Sequence, residues 1–199
     1  MGKRICVYCA SSNRIAPHYL EAAALFAHLA ALQGHTLVCG GTSKGLMSVL
    51  IGATLEAGGN VEGVVPEFMV NYGWADKRLT RLIVAPSMRE RKWLMIKDAD
   101  AIVALPGGIG TLEELSEAIS LKRLGQLSAP IIIFNQDGFY DTLLRFFDQM
   151  VKAEMMGVSQ YGAWQVVSRV VDILPTIEAQ PKWIPNLLHY HDEDEYGTR

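Results

Sequence analysis

AIVALPGGIGTLEE, residues Ala101 to Glu114, is the stretch on which the fold turns. Its first five residues, Ala101 to Leu105, form a short apolar run that Pro106, Gly107, Gly108 and Gly110 cut off at once, the signature of a buried parallel strand and not of a helix. Thr111 is then expected to open a helix. A glycine turn lets backbone approach a ligand closely, and the free N–H groups of a helix's first turn, with the positive end of its dipole, favour an anion. The segment Gly107 to Thr111, with Gly108 and Gly110 at its centre, is therefore a candidate phosphate cradle.

Working outward, further β-rich runs alternate with helical patterns: Ile5 to Ala10, Thr36 to Cys39, Val61 to Val65, Leu82 to Ala85, Ile131 to Phe134 and Gln165 to Val167. This alternation predicts an α/β fold, a single-domain Rossmann-like parallel sheet of about seven strands flanked by helices. Residues 1–180 are expected to form one nucleotide-binding unit and 181–199 a C-terminal tail. In the first helix Ala22, Leu25, Phe26 and Leu29 repeat at the spacing of a core face. Ser11-Ser12 follow the first strand and Gly40-Gly41-Thr42 the second. In open parallel sheets ligands bind beyond the carboxyl ends of the strands, so Ser11, Ser12 and Gly41 could line one crevice with the Gly107 turn, although glycines also simply end strands. Two nucleotide motifs fail: neither glycine cluster carries the Lys-Ser/Thr of a P-loop, and Glu113 stands where a dinucleotide fingerprint needs its third glycine.

With 199 residues, half of them hydrophobic, the chain can bury one substantial core. Its net charge of -3 and scattered basic residues offer no nucleic-acid stripe. No apolar run approaches a membrane span, so a soluble protein without a membrane partner is expected. Three cysteines without a disulfide pattern fit a reducing, cytoplasmic setting. Cys6 and Cys9 have redox spacing, but three residues apart on a strand they point to opposite faces. Asn71 to Thr80 has no period and reads as a mobile loop, either plain surface or a cover over a binding site. His189 and His191 beside Asp192 to Glu195 lack a third metal ligand at a recognisable spacing and read as a solvated terminus, so no metal is expected.

Ser87 to Lys97 is a candidate helix that places Met88, Arg91, Lys92 and Met95 on one face. Two full charges on a methionine stripe either snorkel to solvent or face a site.

Pro106-Gly107-Gly108-Ile109-Gly110-Thr111-Leu112-Glu113-Glu114 resembles the PGGxGTxxE motif of the LONELY GUY family. Met88-Arg89-Glu90-Arg91-Lys92 resembles that family's second signature, a methionine followed at three and four residues by Arg-Lys. The resemblance runs from about Ile5 to Met156 and takes in Gly138-Phe139-Tyr140-Asp141, while Ala10 and Thr42 stand where relatives commonly have glycine. Members of the family, often loosely labelled lysine decarboxylases, are cytokinin riboside 5′-monophosphate phosphoribohydrolases.

The resemblance implies hydrolysis of the bond between the base and ribose 5-phosphate in a purine nucleoside 5′-monophosphate, with no cofactor. Arg91 and Glu114 would be catalytic, and Ser11, Ser12, Gly41, Met88, Lys92, Gly107, Gly108, Gly110, Thr111 and Glu113 would bind substrate. Helix register decides whether Glu114 or Glu113 faces the crevice. Thr111-Leu112-Glu113-Glu114 is also a capping box, which would explain Glu114 without chemistry. A nucleotide sensor or carrier would use the same cradle. Decarboxylation would need pyridoxal phosphate on a lysine, and no site argues for one. The apolar Leu143 to Met150 helix, with the family's habit, implies a homodimer.

Overall fold

The structure, a computed structural model, describes residues 2–180. The expectations for the histidine and acid cluster and for the tail lie outside them. Seven strands, β1 (Arg4–Tyr8), β2 (Thr36–Cys39), β3 (Asn60–Pro66), β4 (Arg81–Ala85), β5 (Ala101–Ala104), β6 (Ile131–Phe134) and β7 (Gln165–Val167), make one sheet in the order β4-β3-β2-β1-β5-β6-β7. Every pairing is parallel. The α/β expectation holds, with boundaries shifted by one or two residues. The first strand stops at Tyr8 and not Ala10, because Ala10 N–H turns to the Pro106 carbonyl of the neighbouring turn.

The helices are α1 (Pro17–Leu32), α2 (Gly45–Glu56), α3 (Glu67–Asn71), α4 (Met88–Ile96), α5 (Ile109–Arg123), α6 (Asp141–Lys152) and α7 (Ile173–Ala179). They split into two layers as strand alternation requires. On β1, Ile5 and Val7 join the cluster built with α1, α2 and α7, while Cys6 and Tyr8 join the one built with α4, α5 and α6. In α1 the buried stripe is Ala22, Ala23, Phe26, Ala27, Ala30 and Ala31, and Leu25 is exposed. The small alanines let α1 pack closely on the sheet and α2, which displaces the leucine expected in the core.

The chain winds outward from β1 to β4 and then returns to place β5 on the other side of β1. That reversal is the switch point, where the helices after β1 and β5 diverge to opposite faces and leave a crevice. Leu105 N–H donates to the Tyr8 carbonyl at 2.9 Å and Tyr140 Oη to the Leu105 carbonyl at 2.7 Å, fixing the end of β5 just before the glycine turn. The Gly138 to Asp141 run is thus explained by support: Gly138 takes φ +75°, and Asn135 and Asp141 bond across the turn that presents Tyr140.

Candidate active site

At the carboxyl ends of β1, β2 and β5 lies a crevice of about 520 Å³. The start of α5 contributes Gly108, Ile109, Gly110, Thr111, Glu113 and Glu114; α4 contributes Met88, Arg91 and Met95; the segment after β2 contributes Gly40, Thr42, Lys44 and Met47.

The expected glycine turn is present, but its helix begins earlier than the sequence suggested. Gly108 is the N-cap, α5 starts at Ile109, and no side chain caps its first turn. Thr111 is therefore the third helical residue, and the capping-box reading of Thr111 and Glu114 is corrected: glycines pass easily from turn into helix here, and Glu114 points to Arg91 instead. A side-chain cap sits instead at the start of α4, where Ser87 Oγ accepts from Glu90 N–H at 3.3 Å and donates to the Glu90 carboxylate at 2.7 Å. A Cβ added at Gly108 or Gly110 would meet nothing within 4 Å, so packing does not require glycine there. Ile109, Gly110 and Thr111, whose N–H groups belong to the first turn of a 15-residue helix and lack intrahelical partners, line the crevice at the positive end of the helix dipole. Gly107 differs: a Cβ there would collide with the Thr111 side chain, so it shapes the turn without lining the crevice.

Arg91 and Glu114 form the buried centre, each 9% exposed. Arg91 Nη1 donates to Glu114 Oε1 at 2.8 Å, and Arg91 Nε donates to the Val64 carbonyl at 3.0 Å. Two anchors on one guanidinium fix its plane and so the carboxylate it holds. Burial pushes the Glu114 carboxyl above its ordinary value, and the Arg91 charge and hydrogen bond oppose that rise. A carboxylate with a raised pKa, held at a crevice, is suited to accept a proton or face developing positive charge. Gly40 makes room for this pair, since a Cβ there would strike the Arg91 guanidinium and lie 2.8 Å from Met47 Sδ.

Lys92, one residue on, does not line the crevice. Its ammonium bonds Glu113 and lies 3.1 Å from Glu117, and the Glu113 bond raises its pKa against a smaller effect of burial. Neither α4 cation snorkels alone: Arg91 ties α4 to the buried face of α5 and Lys92 to its exposed edge. Ser11 lines the crevice; Ser12 instead accepts from Arg14 N–H at 3.1 Å. Gly41, at φ +69° and packed so that a Cβ would sit 2.8 Å from Gly63 Cα, is a turn residue, and its neighbour Gly40 does the lining.

Thr42 lines the crevice from the Gly40-Gly41-Thr42 turn, whereas sequence reasoning missed Lys44, Met47, Met69 and Trp74. Asn71 to Thr80 is not the loose loop expected. Trp74 enters the crevice, Thr42 and Ala75 form a β-bridge, and Asp76 N–H donates to the Gly41 carbonyl at 2.8 Å. The β-bridge partner lies more than 30 positions away in the chain, so no local period reveals it.

Cys6 and Cys9 are free and belong to opposite layers, and burial raises both thiols. Lys44 is the one lysine among the described residues lining the crevice, and it stands at the exposed rim over the Trp74 ring. A pyridoxal phosphate aldehyde needs a lysine buried beside it, so these residues do not fit that cofactor.

Residues 47–177 match the family described as possible lysine decarboxylase. The chain is similar to the cytokinin riboside 5′-monophosphate phosphoribohydrolase LOG2 of Arabidopsis thaliana, 40% identical over 149 residues that span 75% of this chain and 70% of that protein. The probable cytokinin riboside 5′-monophosphate phosphoribohydrolase LOGL3 of Oryza sativa subsp. japonica is 34% identical over 195 residues, 98% of this chain and 89% of that one. Among solved structures, the molybdenum cofactor carrier protein of Chlamydomonas reinhardtii superposes with a TM-score of 0.69 over 89% of this chain and 97% of that chain; at 20% identity the likeness is one of fold alone.

Proposed function

The chain belongs to the LONELY GUY family, matched under the description possible lysine decarboxylase, and from that premise we propose that it hydrolyses the N-glycosidic bond of an adenosine 5′-monophosphate, plain or N6-substituted, releasing free base and ribose 5-phosphate. The observation that carries this reading is the buried Arg91–Glu114 pair set in the same crevice as an uncapped helix N-terminus.

The 5′-phosphate would sit on the N–H groups of Ile109, Gly110 and Thr111, in the room left by Gly108 and Gly110. That anchor places the ribose near Glu114. As the bond to the base breaks, the sugar ring gains positive charge, which the Glu114 carboxylate opposes while it accepts a proton from the attacking water. The departing base takes up the bonding electron pair and leaves as the neutral free base with a proton equivalent to the one that Glu114 accepts, which returns the carboxylate to its ionised form. Arg91 holds Glu114 ionised against burial and fixes its direction. Ser11, Met88 and Glu113 contact substrate directly in this reading, whereas Ser12, Gly41, Lys92 and Gly107 support the turns around it.

Residues 1–180 act as one nucleotide-binding unit. The protein works as a homodimer, supported by the half-exposed Phe146 on α6, where Phe147 alone is buried, and by the exposed Met155. A cytoplasmic setting is supported by the free thiols of Cys6, Cys9 and Cys39. Among the described residues no helix is long and apolar enough to cross a membrane.

The test is the initial rate on AMP against that on adenosine. AMP should turn over at least about 100-fold faster, because phosphate binding energy positions the sugar. Equal rates would remove the phosphate cradle and the reading with it.

A further inference from the structure

The crevice has a second wall that the chemistry at Glu114 does not use. Across the switch point from α5, the segment after α3 brings Trp74 into the crevice beside Met47 and Met69. Such a segment would ordinarily be too loose to select a ligand, but this one is pinned at several points. Trp74 N–H donates to the Met69 carbonyl at 3.0 Å, and Ser43 N–H donates to the Trp74 carbonyl at 3.3 Å. Two residues on, the Asp76 carboxylate, only 5% exposed, takes two hydrogen bonds from the Arg78 guanidinium, and Arg78 reaches Ser48 on α2 at 2.9 Å.

The Trp74 ring is itself braced. Tyr72 stacks with it at 5.4 Å between centroids and 28° between planes, and the Lys44 ammonium lies 5.4 Å from its centroid. Yet Trp74 remains 42% exposed and belongs to neither hydrophobic core cluster. A rigid, half-exposed aromatic at the edge of a crevice is the usual means of receiving a flat, polarisable ring.

We propose that Trp74, on its pinned loop, is the base-selecting residue of this protein, packing against the purine of a bound nucleotide while the start of α5 holds the phosphate. The inference rests on the hydrolase reading for its substrate class and not for its test. Trp74, Met47 and Met69 line the same crevice as the start of α5, so a nucleotide whose phosphate is held at α5 has this wall to receive its base. Thioether and indole surfaces discriminate by shape and polarisability, so the wall favours a purine over a pyrimidine.

The experiment measures binding without turnover, using formycin 5′-monophosphate, an adenosine monophosphate isomer whose C-glycosidic bond is not cleaved by this chemistry, and ribose 5-phosphate, which lacks a base. In Trp74→Ala the formycin nucleotide should bind roughly tenfold or more weakly, as expected for one lost base–aromatic contact. Ribose 5-phosphate should bind as it does to the unmodified protein, and Trp74→Phe should recover most of the lost affinity. Unchanged formycin nucleotide binding in Trp74→Ala overturns the proposal. So does an equal loss for ribose 5-phosphate, which would mean that the whole crevice had changed shape. If the unmodified protein cleaves no nucleotide yet shows this pattern, the base wall stands and the hydrolase reading fails. If it cleaves AMP but Trp74→Ala binds the formycin nucleotide normally, only the base wall fails.

Discussion

Replacing Glu114 with glutamine separates chemistry from architecture at the centre of the site. Glutamine keeps an oxygen where Oε1 now accepts from Arg91 Nη1 at 2.8 Å, so the α4 to α5 tie survives. It cannot take a proton at working pH or oppose charge on the sugar ring, and kcat should fall roughly 100-fold or more, about 2.7 kcal/mol of transition-state stabilisation. Stability is a balance of two terms. Leaving Arg91 without a counter-charge at a site 9% exposed would cost about 3–5 kcal/mol if the bond were lost outright. The retained hydrogen bond and the relief of a carboxylate that burial already disfavours offset most of this. The net loss should be about 1 kcal/mol, a fall in Tm of roughly 2–4 °C for a chain of this size. Adenine release from AMP and a thermal melt on the same preparation measure both terms, with calorimetric binding of formycin 5′-monophosphate showing the site intact. A Glu114→Gln protein that releases adenine at the unmodified rate would refute the assignment, whatever its Tm.

In the pH profile of kcat/KM, the acid limb should have its midpoint above the 4.5 of an ordinary glutamate, because burial raises Glu114 and its ionised form is the active one; Arg91→Gln, in whatever activity it retains, should move that limb further up, since Arg91 is what lowers it. Gly108→Ala should fold with nearly unchanged Tm, its Cβ having nothing within 4 Å to strike, yet raise KM for AMP by crowding the phosphate space, while Gly107→Ala, which collides with Thr111, should destabilise the fold. Lys122 is 1% exposed with its ammonium on the Ala129 carbonyl, and burial lowers its pKa from 10.5 to about 8. Between those two values the unfolded chain holds a proton that the folded chain does not, so its contribution rises with pH across that window and is most unfavourable below it, by at most about 3 kcal/mol. Lys122→Met should therefore raise the urea midpoint at pH 7, and its advantage should shrink by pH 10; a constant difference would contradict the burial argument.

What the sequence made legible was whatever is carried by local period and by spacing. Ala101 to Leu105 fits a buried strand better than a helix, and its proline and glycines announced the turn that the structure places at the switch point. Thr36 to Cys39, Ile131 to Phe134 and Gln165 to Val167 needed no correction. Arg91 stood out as a charge on an apolar face, and its solution, a carboxylate 23 positions away, explains why the face tolerates it. Where long-range contacts decide, the reading failed. Thr111-x-x-Glu114 looked like a cap because the local pattern is complete, but glycine at 108 and 110 let α5 begin two residues early. Gly41 was expected to line the crevice and its neighbour Gly40 does so instead, because only the fold reveals that one faces Gly63 and the other Arg91. Trp74 was hidden in a segment with no period, held by Asp76, Arg78 and the Gly41 carbonyl.

The identity of the products from AMP tests the hydrolase most directly. Chromatography of the reaction over time should show adenine and ribose 5-phosphate appearing in equal amounts, with neither adenosine nor inorganic phosphate, and both absent with Glu114→Gln. Adenosine and inorganic phosphate in their place, or AMP recovered intact from the unmodified protein, would contradict it.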